Sequence, residues 1–165
     1  MGKALFITGT GTDIGKTYVT GLIVKKLRDA GLRAGYYKAA LSGAETLADG
    51  TLLPGDALHV ARVAGLAAAD TTVSYIYRDA VSPHLAAQIE NRPMDFDKVE
   101  QDYRTAKERT EYLTVEGSGG IICPLRWDNE EHVILDDLVL RLGLSALVVA
   151  DAGLGTINAA VLTAE

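Results

Sequence analysis

Cys123 is the only cysteine in this chain. No internal disulfide can form, which excludes the disulfide-stapled secreted scaffolds and points to a reducing compartment. A lone cysteine of this kind reads first as a small packed side chain. A basic excess is missing too: 16 Lys and Arg stand against 22 Asp and Glu, for a net charge of -6. That balance speaks against a general nucleic-acid binder, because phosphate backbones demand a basic surface. No apolar run approaches the length of a bilayer span, and the opening MGKALFITG is too short and glycine-rich for a secretory leader. Gly2 invites the myristoylation pattern, but the sixth residue is Phe6 rather than Ser or Thr. Nothing resembles a Ser-His-Asp set, and no Cys/His cluster has metal-ligand spacing. A cytoplasmic protein without membrane or nucleic-acid partners is expected.

What remains is ordinary globular material. The chain has 165 residues, 48% hydrophobic and 23% charged, enough for one domain with a real core. Short apolar runs alternate with helical periodicity. Residues 4–8 (ALFIT) read as a buried strand, and 16–30 as a helix carrying Val19, Leu22, Ile23 and Leu27, stopped by Gly31. Residues 33–40 form a second strand, 42–54 a loop, and 55–67 a helix. Residues 71–80 are β-rich, and Ser82-Pro83 opens a helix as cap and first turn. A polar-faced helix over 95–110 buries Phe96, Val99 and Tyr103. The segment 111–120 is a strand running into glycines, 130–143 an amphipathic helix, 145–153 another buried strand, and 155–165 a final helix start. Such alternation predicts an α/β fold with a mostly parallel sheet covered by helices on both faces. Ligands of such sheets bind at the carboxyl ends of the strands.

The stretch TGTGTDIGKT, 8–17, ends in Gly-Lys-Thr, the close of a phosphate-binding loop. The strict spacing fails, since position 10 is threonine and Gly9 comes one residue too early. Context restores the reading: a strand precedes the loop and a helix follows it. Backbone N–H groups from Asp13, Ile14 and Gly15 into the helix start would converge on an anion, helped by the helix dipole. Lys16 would bring charge to the outer phosphates, and Thr17 would offer its hydroxyl to Mg²⁺. A second stretch, LTVEGSGG, ends a strand at Glu116 and continues through Gly117, Ser118 and Gly119. Glu116 would stand beside the phosphate loop as a Mg²⁺ ligand, and the glycines would let backbone approach the nucleotide. Lys38 and Asp56 are ambiguous from position alone. Lys38 reads as a solvated charge at a strand end or as a crevice-facing lysine, with the former favoured. Asp56 reads as a helix N-terminal capping or dipole residue.

Taken in order, TGTGTDIGKT, GYYKAALSG, GDAL, SPHLAA, VEGSGG and GLGTINAAVLT resemble the dethiobiotin synthetase family over nearly the whole chain. The resemblance implies a three-layer P-loop NTPase-type fold and a reaction that is an ATP-dependent carboxylation and ring closure. 7,8-Diaminononanoate and CO₂ become dethiobiotin, through a carbamate that ATP phosphorylates and that the second amine attacks. By the family's pattern, Lys16 and Lys38 supply charge at the transferred phosphoryl and carbamate. Thr17, Asp56 and Glu116 hold Mg²⁺, while Thr12 and Ser42 hydrogen-bond the carbamate or the substrate amines. The helix start at Gly155, Thr156, Ile157 and Asn158 would receive the substrate carboxylate from a neighbouring subunit, which implies a homodimer.

Three departures accompany the resemblance. Asp13 stands where relatives often carry Glu, and KAAL replaces the usual Lys-Pro start after Lys38. The chain ends at VLTAE, within a helix, so the resemblance predicts that C-terminal elements completing the sheet and binding adenine are missing from a single domain over 1–165. A partitioning ATPase would carry an additional lysine where Gly11 stands, and an amidating synthetase would need a glutaminase domain for which there is no room. A non-catalytic nucleotide-binding module is the other alternative.

Overall fold

The computed structural model describes residues 2–165. Its five-stranded sheet has the order β5-β2-β6-β1-β9, formed by β1 (Lys3–Gly9), β2 (Ala34–Leu41), β5 (Thr71–Ile76), β6 (Tyr112–Glu116) and β9 (Ser145–Val149). Every pairing within it is parallel. The helices are α1 (Lys16–Asp29), α2 (Gly55–Ala64), α3 (Pro83–Ile89), α4 (Phe96–Glu108), α5 (Leu135–Leu142) and α6 (Thr156–Ala164).

Parallel strands need covered faces, because each crossover lays a helix on the sheet. Residue alternation along β2 and β6 sorts side chains between the two faces. Tyr37, Leu113 and Val115 turn into the larger cluster with Phe96, Val99 and Tyr103 of α4 and Leu135 and Leu138 of α5. Tyr36 turns the other way, into a smaller cluster with Val24 of α1 and Ala57 and Val60 of α2. The larger cluster holds its tyrosines by polar handles as well as by packing. The Tyr37 hydroxyl, for example, donates to the Val99 carbonyl at 2.9 Å.

Several sequence expectations change. The buried side of α1 is Thr20, Gly21 and Val24, while Leu22 is exposed and Val19, Ile23 and Leu27 are only partly covered. Gly21 is buried because α2 lies close: a Cβ there would meet Val63 at 3.4 Å. Helix α2 stops at Ala64, since Gly65 adopts the left-handed conformation (φ 64°) that ends it. The loop over 42–54 contains a small antiparallel pair, β3 (Glu45–Thr46) with β4 (Leu52–Leu53). The expected helix over 130–143 is shorter, because its first part belongs to a hairpin of β7 (Pro124–Trp127) with β8 (His132–Ile134). Arg126 clamps that hairpin through the Asp128 carboxylate at 2.6 Å and Glu131 at 2.8 Å. Strand β9 is an edge strand with three of its five residues exposed rather than a buried one.

Candidate active site

The carboxyl ends of β1, β2 and β6 surround a crevice of about 430 Å³, roofed by the phosphate loop and the first turns of α1 and α2. The loop is shaped by backbone conformations that few residues adopt. Gly15 (φ 92°) caps α1 in the left-handed region, and Asp13 lies there as well (φ 58°). Asp tolerates that conformation better than most residues. With the chain turned this way, Lys16 folds back and donates from Nζ to the Gly11 carbonyl at 2.5 Å. Thr12, Asp13, Gly15, Lys16 and Thr17 all line the crevice. Ile14 does not: its side chain packs where a Cβ on Gly9 would otherwise sit, anchoring the loop to β1.

Opposite the loop, sheet register builds a charged cluster. Lys38 on β2 lies directly beside Glu116 on β6. It is inside the strand rather than at its end, and only 4% exposed, which overturns the solvated-charge reading. Its Nζ donates to Glu116 Oε1 at 2.9 Å and to Asp56 Oδ2 at 2.6 Å. Asp56, in the first turn of α2, thus directs its carboxylate to a lysine and makes no side-chain cap. Thr17 donates from Oγ1 to Glu116 Oε1 at 2.7 Å, joining the phosphate loop to the cluster.

The two lysines respond oppositely to this setting. Burial, reinforced by the nearby Lys38 charge, holds the Lys16 ammonium below the ordinary lysine value. Burial also pulls on Lys38, but Glu116 and Asp56 together outweigh it and hold its pKa above the ordinary value.

The strand-end glycines divide their work. A Cβ on Gly117 would meet Leu135 Cδ2 at 2.7 Å and Phe6 Cζ at 2.8 Å, so the missing side chain serves the core beneath the loop. Gly119 has φ 67° and faces the crevice. Ser118 also lines the crevice and donates its hydroxyl to the Ala40 carbonyl at 2.6 Å, tying this loop to β2. Ser42, just beyond β2, contributes to the same wall. Cys123 is half-buried near Gly119, and burial pushes its thiol up, as a packed cysteine requires.

Four expected site residues lie elsewhere. Gly155, Thr156, Ile157 and Asn158 form the start of α6 and line a separate open surface hollow with Leu154. Within one chain they do not meet the crevice.

One residue was missed by reading the sequence. Tyr36, fully buried, donates its hydroxyl to Glu116 Oε2 at 3.2 Å. Burial first, then the neighbouring Glu116 and Asp56 charges, pushes its phenol well above the ordinary tyrosine value. The available clue was its place two residues before Lys38, on the same face of one strand.

The cluster offers a hydroxyl and two carboxylates, hard oxygens of the kind Mg²⁺ takes. The Lys38 ammonium already sits where the two carboxylates converge, so these oxygens are arranged around positive charge. Among the described residues, no group of three or more His, Cys, Asp or Glu is placed to hold a metal alone. Mg²⁺ commonly pairs one or two carboxylates with substrate phosphates.

Comparison with known proteins decides the lineage. A family model described as an AAA domain matches residues 3–165. The chain is 53% identical to the ATP-dependent dethiobiotin synthetase BioD of Brachyspira hyodysenteriae, over 100% of this chain and 73% of that protein. This chain belongs to the dethiobiotin synthetase family. It is also 52% identical to the ATP-dependent dethiobiotin synthetase BioD of Clostridium botulinum strain Loch Maree, over 100% of this chain and 72% of that relative. The stretches TGTGTDIGKT, GYYKAALSG, GDAL and VEGSGG all contribute side chains to the crevice around Lys38 and the phosphate loop, while SPHLAA and GLGTINAAVLT do not. Among the described residues of this synthetase relative, no helix is long and apolar enough to cross a membrane.

Proposed function

We propose that this protein is an ATP-dependent dethiobiotin synthetase that uses Mg²⁺ and joins 7,8-diaminononanoate with CO₂, with residues 1–165 belonging to a single nucleotide-binding and synthetase domain. The observation that carries the reading is the buried, doubly paired Lys38 beside a phosphate loop. A fixed cation at that point suits a reaction that must bring two anions together, a carbamate and a γ-phosphate.

Family resemblance, together with the placement of these side chains around the crevice, supports the following roles. Backbone N–H groups from Asp13 to Thr17, at the positive end of α1, cradle the phosphates. Lys16 exchanges its contact with the Gly11 carbonyl for the outer phosphate oxygens. Gly117, Ser118 and Gly119 form the opposite lip of the nucleotide site. Thr12 and Ser42 orient the carbamate and the amines by hydrogen bonds from the crevice wall. Lys38 neutralises the carbamate and the moving phosphoryl group, so that carbamate oxygen attacks the γ-phosphorus and ADP departs. The second amine then attacks the carbamic carbon, closing the ureido ring and expelling phosphate. Thr17, Asp56 and Glu116 would hold Mg²⁺, which when bound screens the charge of the phosphate oxygens.

The start of α6 extends the proposal to a homodimer. Leu154 is fully exposed and Ile157 is 79% exposed beside the helix N-terminus. In the homodimer that the family resemblance implies, the crevice of a second copy takes the helix start from Gly155 to Asn158 as the anion site for the substrate carboxylate.

The test is to incubate purified protein with ATP, Mg²⁺, bicarbonate and 7,8-diaminononanoate. Dethiobiotin and ADP are expected in equal amounts. ATP turnover indifferent to the diamine would replace this reading with a nucleotide switch, and binding without turnover would replace it with a non-catalytic module.

A further inference from the structure

Glu116 is held by three donors that are not equivalent. Thr17 and Lys38 both donate to Oε1, and both line the open crevice. Under the function proposed above, each changes partner when nucleotide, metal and carbamate arrive. Tyr36 alone donates to Oε2, and it is not among the crevice-lining residues. Its ring is enclosed by Val24, Ala57 and Val60, at the seam of α1 and α2 against the sheet.

Strand register makes this arrangement specific. Tyr36 pairs with Thr114 while Lys38 pairs with Glu116, so tyrosine and lysine emerge on the same face two residues apart. The glutamate therefore has one oxygen toward the chemistry and one toward the core. A carboxylate with a single fixed donor on its inner oxygen cannot rotate freely about its last bond when its outer partners leave. The phenol is a stiff strut for this task, because it has few rotatable bonds and its ring is locked by packing.

We propose that Tyr36 is a positioning residue that fixes the Glu116 carboxylate for Mg²⁺-dependent phosphate binding. The proposal rests on the reading of Glu116 as a Mg²⁺ ligand, and the test separates the two. ATP binding is measured by calorimetry across a Mg²⁺ titration, for the wild-type chain, Tyr36→Phe and Glu116→Gln. The phenylalanine variant keeps the ring and removes only the hydroxyl. ATP affinity without Mg²⁺ is expected to stay within about twofold of wild type, while the Mg²⁺ concentration for half-maximal tightening rises about tenfold, the scale of one lost hydrogen bond to a charged acceptor. Glu116→Gln is expected to abolish most of the Mg²⁺ response.

An unchanged Mg²⁺ midpoint in Tyr36→Phe overturns the positioning role while leaving Glu116 as a ligand. Equal loss of Mg²⁺-free and Mg²⁺-bound affinity also overturns it, since that pattern belongs to general loosening of the core. A Glu116→Gln chain that responds to Mg²⁺ like wild type overturns the ligand reading itself. If Tyr36→Phe does not fold, the wild-type sequence labelled with fluorotyrosine answers instead. The fluorine resonance displaced by Glu116→Gln reports Tyr36, and in the unmutated chain with ATP bound it must shift on adding Mg²⁺; no shift overturns the proposal.

Discussion

On the α4 and α5 side of the sheet, β2 and β6 contribute Tyr37, Leu113 and Val115 to a large cluster built from aromatic and aliphatic side chains. On the α1 and α2 side, alternate residues of the same two strands are Tyr36, Lys38, Thr114 and Glu116. One surface accumulates buried apolar area, and the other holds buried charge that is tolerable only because each ion is partnered. The pleat separates the two by a single residue. Tyr36 and Tyr37 show the division most clearly: adjacent in sequence, one serves the glutamate and the other donates to the backbone of α4. A parallel sheet can thus keep its stability on one face while concentrating chemistry at the end of the other.

That division is open to attack from both sides. The largest effect is expected from Lys38→Ala, with turnover falling on the order of 10³-fold, as when an oriented charge-stabilising donor is lost. Mg²⁺-ATP binding, measured by calorimetry, should survive in the same variant. Unchanged turnover would reduce Lys38 to a structural ion pair. On the other face, Leu138→Ala empties a fully buried position of the large cluster. About 2–4 kcal/mol of stability should be lost in denaturant unfolding, with ATP affinity unaltered. A parallel fall in affinity would mean that the two faces are not separable.

The smallest effect lies within the charged face, where the lysines differ in sign. Lys16 is held below 10.5, so between its folded value and 10.5 the unfolded chain binds the extra proton. Its contribution to stability therefore rises with pH across that window, even as the charge that attracts phosphate is lost. Lys38 is held above 10.5, so its contribution is complete below that value and disappears as pH climbs through the folded one. ATP binding should accordingly weaken in mild alkali before the fold does, by a few-fold, in paired binding and melting curves. Simultaneous loss of both would remove the distinction between the lysines.

Strand and helix succession could be read directly, because periods of 2 and 3.6 leave their mark wherever one face is apolar. The reading failed where that mark was weak. At 130–143 the run HVILDDLVLRLG has apolar residues dense enough to suit either period, and the hairpin with Pro124–Trp127 took the first part. Along α1, Gly21 faces inward because α2 approaches closely, a requirement that hydrophobicity does not encode. The phosphate loop and the Glu116 loop were legible as local motifs. Lys38 and Asp56 were not, since strand-end lysines and helix-start aspartates are common in solvent, and only family resemblance singled them out.

By itself the sequence determined the alternation that yields a parallel α/β sheet, the phosphate loop despite its irregular spacing, and the kinship with dethiobiotin synthetases. These are local patterns or accumulated matches, and both are carried along the chain. Only the tertiary structure decided that Lys38 is buried between Asp56 and Glu116, that Thr17 reaches the same carboxylate, and that Tyr36 supports it from beneath. Those contacts join residues 18 to 99 positions apart. Their partners are fixed by strand register and helix packing, which no single segment specifies.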